Sequence, residues 1–206
     1  MYGLITFGIS FGILIIAMSV HEFAHGWAAY KLGDTTAKYS GRLTLNPFAH
    51  IDPIGTVLLP LILFISTQGR FVFGVAKPVP INYWALRNPK QDIIWIGLSG
   101  PLANFIFASL LSLILKLTPE SSIINYFLKN LIFINVILGV FNLIPIPPLD
   151  GSRVVMGILP QNLASIYLRL EPFGFIIVML FIFLGMFEFI VWPIVRIILI
   201  WLGVSF

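Results

Sequence analysis

Apolar runs separated by short polar stretches divide the sequence into candidate membrane segments. Residues 3–20 carry no charged side chain, and Thr6 and Ser10 are their only hydroxyl residues before Ser19. A transmembrane helix needs roughly 20 apolar residues, so this run predicts most of a first span. It lacks the basic start and cleavage site of a removed signal peptide, so we expect a retained span. The helix is expected to end near Gly33.

Two further runs predict an antiparallel pair of spans. Residues 93–117 and 123–143 are each long enough to cross a membrane, and a polar turn at 118–122 joins them. Residues 54–65 are apolar but short, and Pro60 interrupts them. This length favours a re-entrant or broken segment, with a short, distorted full span as the alternative.

The remaining segments complete the predicted architecture. Residues 173–206, apolar apart from Glu188 and Arg196, are long enough for one tilted span with further helix or for two short spans. The pattern at 71–76 is typical of a strand, and we expect a small hairpin near 71–80 that either pairs with an extended substrate or packs over a site. The expected fold class is an all-α polytopic membrane protein with about five or six transmembrane segments, of which one could be re-entrant, plus this membrane-associated β-hairpin.

The composition supports a membrane protein. Hydrophobic residues make up 59% of the 206-residue chain and charged residues only 10%, whereas soluble domains carry about 25% charged residues. We expect one membrane-embedded domain over 1–206, with a core at about 4–160 and a C-terminal helical segment at 172–206. The net charge of +4 is assigned to cytoplasmic loops and membrane lipid, not to nucleic acid. The absence of cysteine excludes disulfides and thiolate chemistry.

Positive residues flank the short apolar run at 54–65 on both sides. They are Lys31, Lys38, Arg42, Arg70, Lys77, Arg87 and Lys90. Cytoplasmic loops are enriched in lysine and arginine, so we expect both flanks of this run to be cytoplasmic.

A His-Glu-x-x-His motif lies at the end of the first apolar run. On a helix, four residues advance about 400°, so His21 and His25 occupy nearly the same face one turn apart. Two imidazoles placed in this way can bind one zinc ion, and Glu22 can reach a water molecule on that metal. Ionisable residues at membrane depth are costly and usually functional. The motif therefore predicts a metal site in the membrane, with a chance match as the alternative.

The third protein ligand of such a site must come from a small set of residues. The chain has only one further histidine, His50, so the third ligand is His50 or a carboxylate. His50 and Asp52 are expected on one side of an extended segment, where they are the second choice as metal ligands. Asp52 could equally cap a helix formed by the next apolar run. The carboxylates outside the motif are Asp34, Asp52, Asp92, Glu120, Asp150, Glu171 and Glu188.

Asp150 follows a proline-rich segment. Three of the four residues at 145–148 are prolines, which rules out a helix that continues far beyond Asn142. Unwound backbone at membrane depth is tolerated where it lines a cavity or is buried in protein. We therefore expect Asp150 on a rigid, non-helical segment at the level of the histidine helix. Asn104, inside the second long run, is expected to make either an interhelical hydrogen bond or a substrate contact.

Three motifs follow one another along the chain: His21-Glu-Phe-Ala-His25, Gly100-Pro-Leu-Ala-Asn104, and Asn142-Leu-Ile-Pro145 with Leu149-Asp150-Gly151. Together they resemble the signature set of the site-2 protease family of intramembrane zinc metalloproteases. The segments at 41–47 and 50–53 are similar to the compact prokaryotic branch, which lacks PDZ or CBS domains. The resemblance covers roughly residues 10–160.

The resemblance implies a role for each motif residue. His21, His25 and Asp150 would ligate one Zn²⁺, Glu22 would be the general base, and Asn142 would stabilise the oxyanion or, as its structural alternative, cap the helix end. The implied substrates are transmembrane proteins cut within or next to their spans. The implied location is the prokaryotic cytoplasmic membrane, as a multi-pass protein with the active site towards the cytoplasm. The oligomeric state is not predicted.

Two other functions compete with this interpretation. The first is the other class of membrane His-Glu-x-x-His protease, which cuts exposed peptides and takes a glutamate as third ligand. Glu171 or Glu188 would have to serve, and neither has the matching local pattern. The second is a non-catalytic metal-binding membrane scaffold, against which the intact Glu22 argues.

Overall fold

The computed structural model describes residues 2–66, 74 and 76–204, with side chains from residue 8 onward. Within these ranges every regular element is helical. The α-helices are α1 (Tyr2–Lys31), α2 (Thr36–Tyr39), α3 (Leu59–Ser66), α4 (Pro89–Leu115), α5 (Ile123–Asn142), α6 (Asp150–Ile158), α7 (Gln161–Leu168), α8 (Gly174–Phe183) and α9 (Trp192–Trp201). The all-α class expected from the sequence is therefore confirmed.

Four helices in the described part of the chain are long and apolar enough to cross a membrane. They cover Gly8–Lys31, Pro89–Leu115, Ile123–Asn142 and Gln161–Phe183, the last of which joins α7 and α8 through a short 3-10 turn. The expected number of about five or six spans is therefore wrong. Pro53–Ser66 is a shorter apolar helix that opens with a π turn, and α9 is only 10 residues long.

A glycine accounts for the shortened C-terminal region. Gly185 has a φ of 74°, in the left-handed region that ends helices. It separates α8 from the following π turn at Phe187–Val191 and from α9. The apolar run at 173–206 thus becomes the end of one span followed by a second, shorter helical segment.

The expected β-hairpin near 71–80 is also wrong. Residues 74 and 76–80 belong to neither a strand nor a helix, whereas residues 71–73 and 75 lie outside the described residues. The backbone N–H groups of this stretch bond elsewhere: Lys77 N–H donates to the carbonyl of His50 and Val79 N–H to the carboxylate of Glu22. Pro78 and Pro80 have no N–H to give, so a strand ladder cannot form across them.

Helix α4 lies at the centre of the fold and packs against α1, α5 and α6. The core between these helices and the C-terminal segment contains fully buried side chains such as Ile13, Ile132, Val136 and Val195. Large apolar side chains elsewhere point outward. An outward apolar surface of this extent suits contact with lipid tails and is costly in water.

The connection between α5 and α6 brings Asp150 back to the level of α1. Helix α5 ends at Asn142, the residues that follow form turns, and α6 begins at Asp150. Residues 143–149 are non-helical, as expected, but the expectation that Asp150 itself lies on the non-helical segment is wrong, because Asp150 is the first residue of α6. A carboxylate at a helix N-terminus is favourable because it faces the positive end of the helix dipole.

Candidate metal centre

The side chains of His21 and His25 on α1 and of Asp150 at the start of α6 meet at one point. The Nε2 atoms of His21 and His25 are 3.0 Å apart, and they lie 2.9 and 3.0 Å from Oδ2 of Asp150. All three residues are buried, with exposed fractions of 7%, 3% and 5%. In the described part of the chain, they form the one group of this kind that could hold a metal ion.

The hydrogen bonds on the far side of each imidazole fix which nitrogen faces the group. His21 Nδ1 lies 2.5 Å from Oδ1 of Asn104, and His25 Nδ1 lies 2.7 Å from the carbonyl oxygen of Ile96. Both partners accept hydrogen bonds, so in a neutral imidazole the proton sits on Nδ1 and the lone pair on Nε2. The lone pairs of the two Nε2 atoms and a carboxylate oxygen of Asp150 therefore face one another, and a cation bound between them would stabilise this arrangement.

The spacing of these atoms fits zinc. Zinc–nitrogen and zinc–oxygen bonds of about 2.0–2.2 Å in a tetrahedron place the ligand atoms about 3.3 Å apart. The observed separations of 2.9–3.0 Å need to open by only a few tenths of an ångström. Three protein ligands also leave one position for water or substrate, as catalytic zinc sites require.

The two carboxylate oxygens of Asp150 have different partners. Its Oδ1 accepts a hydrogen bond of 3.0 Å from the Arg153 guanidinium, one turn along α6, and its Oδ2 faces the imidazoles. Burial acts to raise the pKa of Asp150. When His25 and His21 are protonated, their charge and hydrogen bonds outweigh that effect and hold the pKa of Asp150 below its usual range, and a metal cation held at the same place would act in the same direction. The carboxyl group is therefore ionised, as a metal ligand must be.

A buried amide pair supports His21. Asn104 accepts from His21 through Oδ1, while its Nδ2 donates to Oδ1 of Asn135 at 2.7 Å and to the carbonyl of Ala17 at 3.2 Å. Asn135 in turn donates to the carbonyl of Leu131 at 2.8 Å. Because both amide donors of Asn104 are used in this way, its oxygen must face the imidazole. The expected interhelical bond of Asn104 is present, and sequence reasoning missed that its acceptor is turned to His21.

Gly100 allows α4 to approach the site directly. A Cβ atom at this position would lie 2.5 Å from His25 Nε2 and 2.6 Å from His21 Nε2. Carbon atoms essentially never come this close, so only glycine leaves room for the two imidazoles. The glycine of the second motif thus forms one wall of the candidate metal centre.

Glu22 lies beside the group but not within it. The side chain is half-buried, and its Oε2 accepts a hydrogen bond of 2.8 Å from the backbone N–H of Val79. Asn142 is the last residue of α5 and is also half-buried. Its amide nitrogen donates to the carbonyl of Leu138 at 3.0 Å, one turn back in the same helix.

The other candidate ligands have structural tasks of their own. His50 Nε2 lies 2.8 Å from the carbonyl of Thr44, and Asp52 caps the next helical segment by accepting from the N–H groups of Ile54 and Gly55. Neither joins the group of His21, His25 and Asp150 in the described structure.

Comparison with known proteins identifies relatives that are named as zinc metalloproteases. Residues 118–185, which include Asp150, match the model of peptidase family M50. "Putative zinc metalloprotease YwhC" of Bacillus subtilis is 34% identical over 189 residues, covering 87% of this chain and 82% of that protein. "Putative zinc metalloprotease Rip2" of Mycobacterium tuberculosis is 31% identical over 66% of this chain and 52% of its own length. "Regulator of sigma-E protease RseP" of Escherichia coli is 29% identical over 52% of this chain and 24% of its own length. No solved structure matches the chain.

These matches establish the family. The chain belongs to peptidase family M50, the site-2 protease family of zinc metalloproteases. Zinc is accordingly the metal that its group of histidines and aspartate would hold.

Proposed function

We propose that this chain hydrolyses peptide bonds within or next to the transmembrane segments of other membrane proteins, using zinc held by His21, His25 and Asp150. The observation that carries the proposal is the meeting of two imidazole lone pairs and one carboxylate oxygen within 3.0 Å. Their location between helices of membrane-spanning length supports chemistry at membrane depth.

The reaction divides between the metal and the chain's own residues. Bound zinc would supply Lewis acidity, which activates a water molecule and polarises the substrate carbonyl. Glu22 is the general base: it takes the proton from the attacking water and delivers it to the leaving amine. Only Oε2 of Glu22 is engaged by Val79, so Oε1 remains able to accept that proton.

Asn142 is the proposed hydrogen-bond donor to the tetrahedral oxyanion. Its position at the end of α5, directly before the turns that lead to Asp150, supports this role. The amide nitrogen would have to exchange its bond to Leu138 for one to the substrate. That bond lies within one helix and is partly exposed, so the exchange costs little.

The positive residues that follow α1 support an active site towards the cytoplasmic side of a prokaryotic cytoplasmic membrane. Helix α1 ends at Lys31, and His25 precedes that end by six residues, or about 9 Å along the axis. Lys38 and Arg42 follow in the next segment. Cytoplasmic loops and anionic lipid headgroups would both favour these charges.

The test is co-expression of the protein with candidate single-span membrane proteins, followed by mass spectrometry of the fragments. Glu22→Gln should retain metal and lose cleavage, because the substitution removes the base and leaves all three ligands in place. If wild type and Glu22→Gln give the same fragments, or neither gives any, the protein would be a metal-binding membrane scaffold.

A further inference from the structure

A non-helical segment at residues 76–82, which we call the strap, contacts the motif helix α1. Its first residues are fixed by the Lys77 N–H, which donates to the carbonyl of His50 at 3.0 Å. Its last residue is fixed by the Asn82 N–H, which donates to the fully buried carboxylate of Asp34 at 2.7 Å. Ala76 and Val79 are buried, so the strap packs against the protein at these two positions.

The middle of the strap presents a single donor to the active site. Pro78 and Pro80 flank Val79 and have no N–H, so Val79 carries the only backbone donor of the three residues. That donor is aimed at Oε2 of Glu22, at 2.8 Å. A residue before a proline is confined to extended backbone, which keeps the donor in this orientation.

Arg42 holds the strap from the opposite side. Its guanidinium donates to the carbonyls of Lys77, at 2.6 Å, and of Pro78, at 3.3 Å. It also donates to the carbonyl of Ala49, directly before His50. One planar cation thus ties the strap to the segment that precedes it, in a fork geometry that a lysine cannot reproduce.

We propose that the strap positions the general base, and that Arg42 and the backbone of Val79 are positioning residues for Glu22. The inference rests on the proposed function, since it gives a task to the same carboxylate. By holding Oε2, the strap keeps Glu22 in one rotamer and directs Oε1 to the attacking water. In the described structure the hydrogen bonds of Arg42 and of the Val79 N–H go to none of the three candidate ligands, so the strap acts on turnover and not on metal binding.

The inference predicts a separation of turnover from metal affinity. Val79→Pro deletes the donor, and we expect kcat to fall about 10- to 100-fold, since small misplacements of catalytic groups cost up to about this factor. KM and zinc affinity should stay near the wild-type values. Val79→Ala keeps the donor and shortens only the side chain, so its loss of turnover should be clearly smaller.

Arg42 offers an independent variant away from the contact. Arg42→Ala should lower kcat in the same way, and Arg42→Lys should not restore it because one ammonium group cannot bridge the three carbonyls. Lys38→Ala is the matched control: it removes a positive, exposed residue four positions away and should leave turnover unchanged.

A spectroscopic measurement tests the contact without relying on activity. In protein labelled with ¹⁵N-valine, the Val79 amide proton should resonate downfield and move upfield in Glu22→Gln, because hydrogen bonds to a charged acceptor are shorter and stronger. Wild-type turnover in Val79→Pro, unchanged or faster turnover in Arg42→Ala, or a Val79 amide indifferent to Glu22→Gln would each overturn the inference. Inactive wild-type protein would count against the proposed function instead, and the amide signal would still decide whether the strap holds Glu22.

Discussion

Substitution of Gly100 by alanine adds a single methyl group and should strongly weaken metal binding. The added Cβ would lie 2.5 Å from His25 Nε2 and 2.6 Å from both Cε1 and Nε2 of His21. Ordinary contacts begin at about 3.4 Å, so the methyl group is about 0.9 Å too close to the imidazoles. Either the two rings must rotate away or α4 must move outward.

Both responses separate the ligand atoms by more than a zinc site tolerates, because metal–ligand distances must fall within about 0.2 Å of their preferred values. Substitutions that only disturb the partners of metal ligands weaken binding by about 10- to 100-fold. Gly100→Ala intrudes on the ligands themselves, so we expect a loss of at least about 100-fold, or about 2.8 kcal/mol.

The assay is zinc affinity by competition with a chromogenic chelator, together with zinc content by elemental analysis of purified protein in detergent. Circular dichroism should show unchanged helix content, since alanine favours helix more than glycine does. Gly12→Ala is the matched control, because a Cβ at position 12 meets nothing within 4 Å. Gly100→Ala protein that binds zinc as tightly as the wild type would refute the geometry of this site.

Two further substitutions separate metal affinity from turnover. Asn104→Ala should weaken zinc binding by about 10- to 100-fold, because His21 loses the acceptor that fixes its Nδ1 proton; chelator competition measures the change, and unaltered affinity would remove Asn104 from the site. Asn142→Ala should leave zinc affinity unchanged and lower kcat by about 10²–10³, the usual effect of losing one oxyanion donor. Steady-state cleavage kinetics measure that change. Full turnover in Asn142→Ala would show that Asn142 serves only as a hydrogen-bond donor to Leu138 at the end of the helix.

The sequence predicts the part of the site whose geometry depends on residue spacing alone. Helical periodicity places His21 and His25 on one face whatever surrounds them. Asp150 was reached through a resemblance, because no local pattern shows that a residue 125 positions beyond His25 returns to the same helix. The contact between Asn104 and His21 could not be predicted for the same reason. An asparagine inside a span needs a hydrogen-bond partner, but the sequence does not show that this partner is His21.

The strap shows where pattern reasoning failed. The apolar run at 71–76 is typical of a strand, yet the described residues that follow donate to Glu22 and Asp34 instead of to another strand. The prolines at 78 and 80 were the available signal, since they remove two of the donors that a ladder needs. The predicted number of spans is wrong for a related reason, because hydropathy along the chain does not detect the left-handed turn at Gly185.

The most direct test of the central claim is zinc X-ray absorption spectroscopy of the purified, zinc-loaded wild-type protein. Two imidazole nitrogens at about 2.0–2.1 Å and two oxygens at about 2.0–2.2 Å are predicted, one oxygen from Asp150 and one from solvent. A shell with three imidazoles would transfer the third position to His50, and a shell with fewer than two would contradict the joining of α1 and α6 around one metal ion.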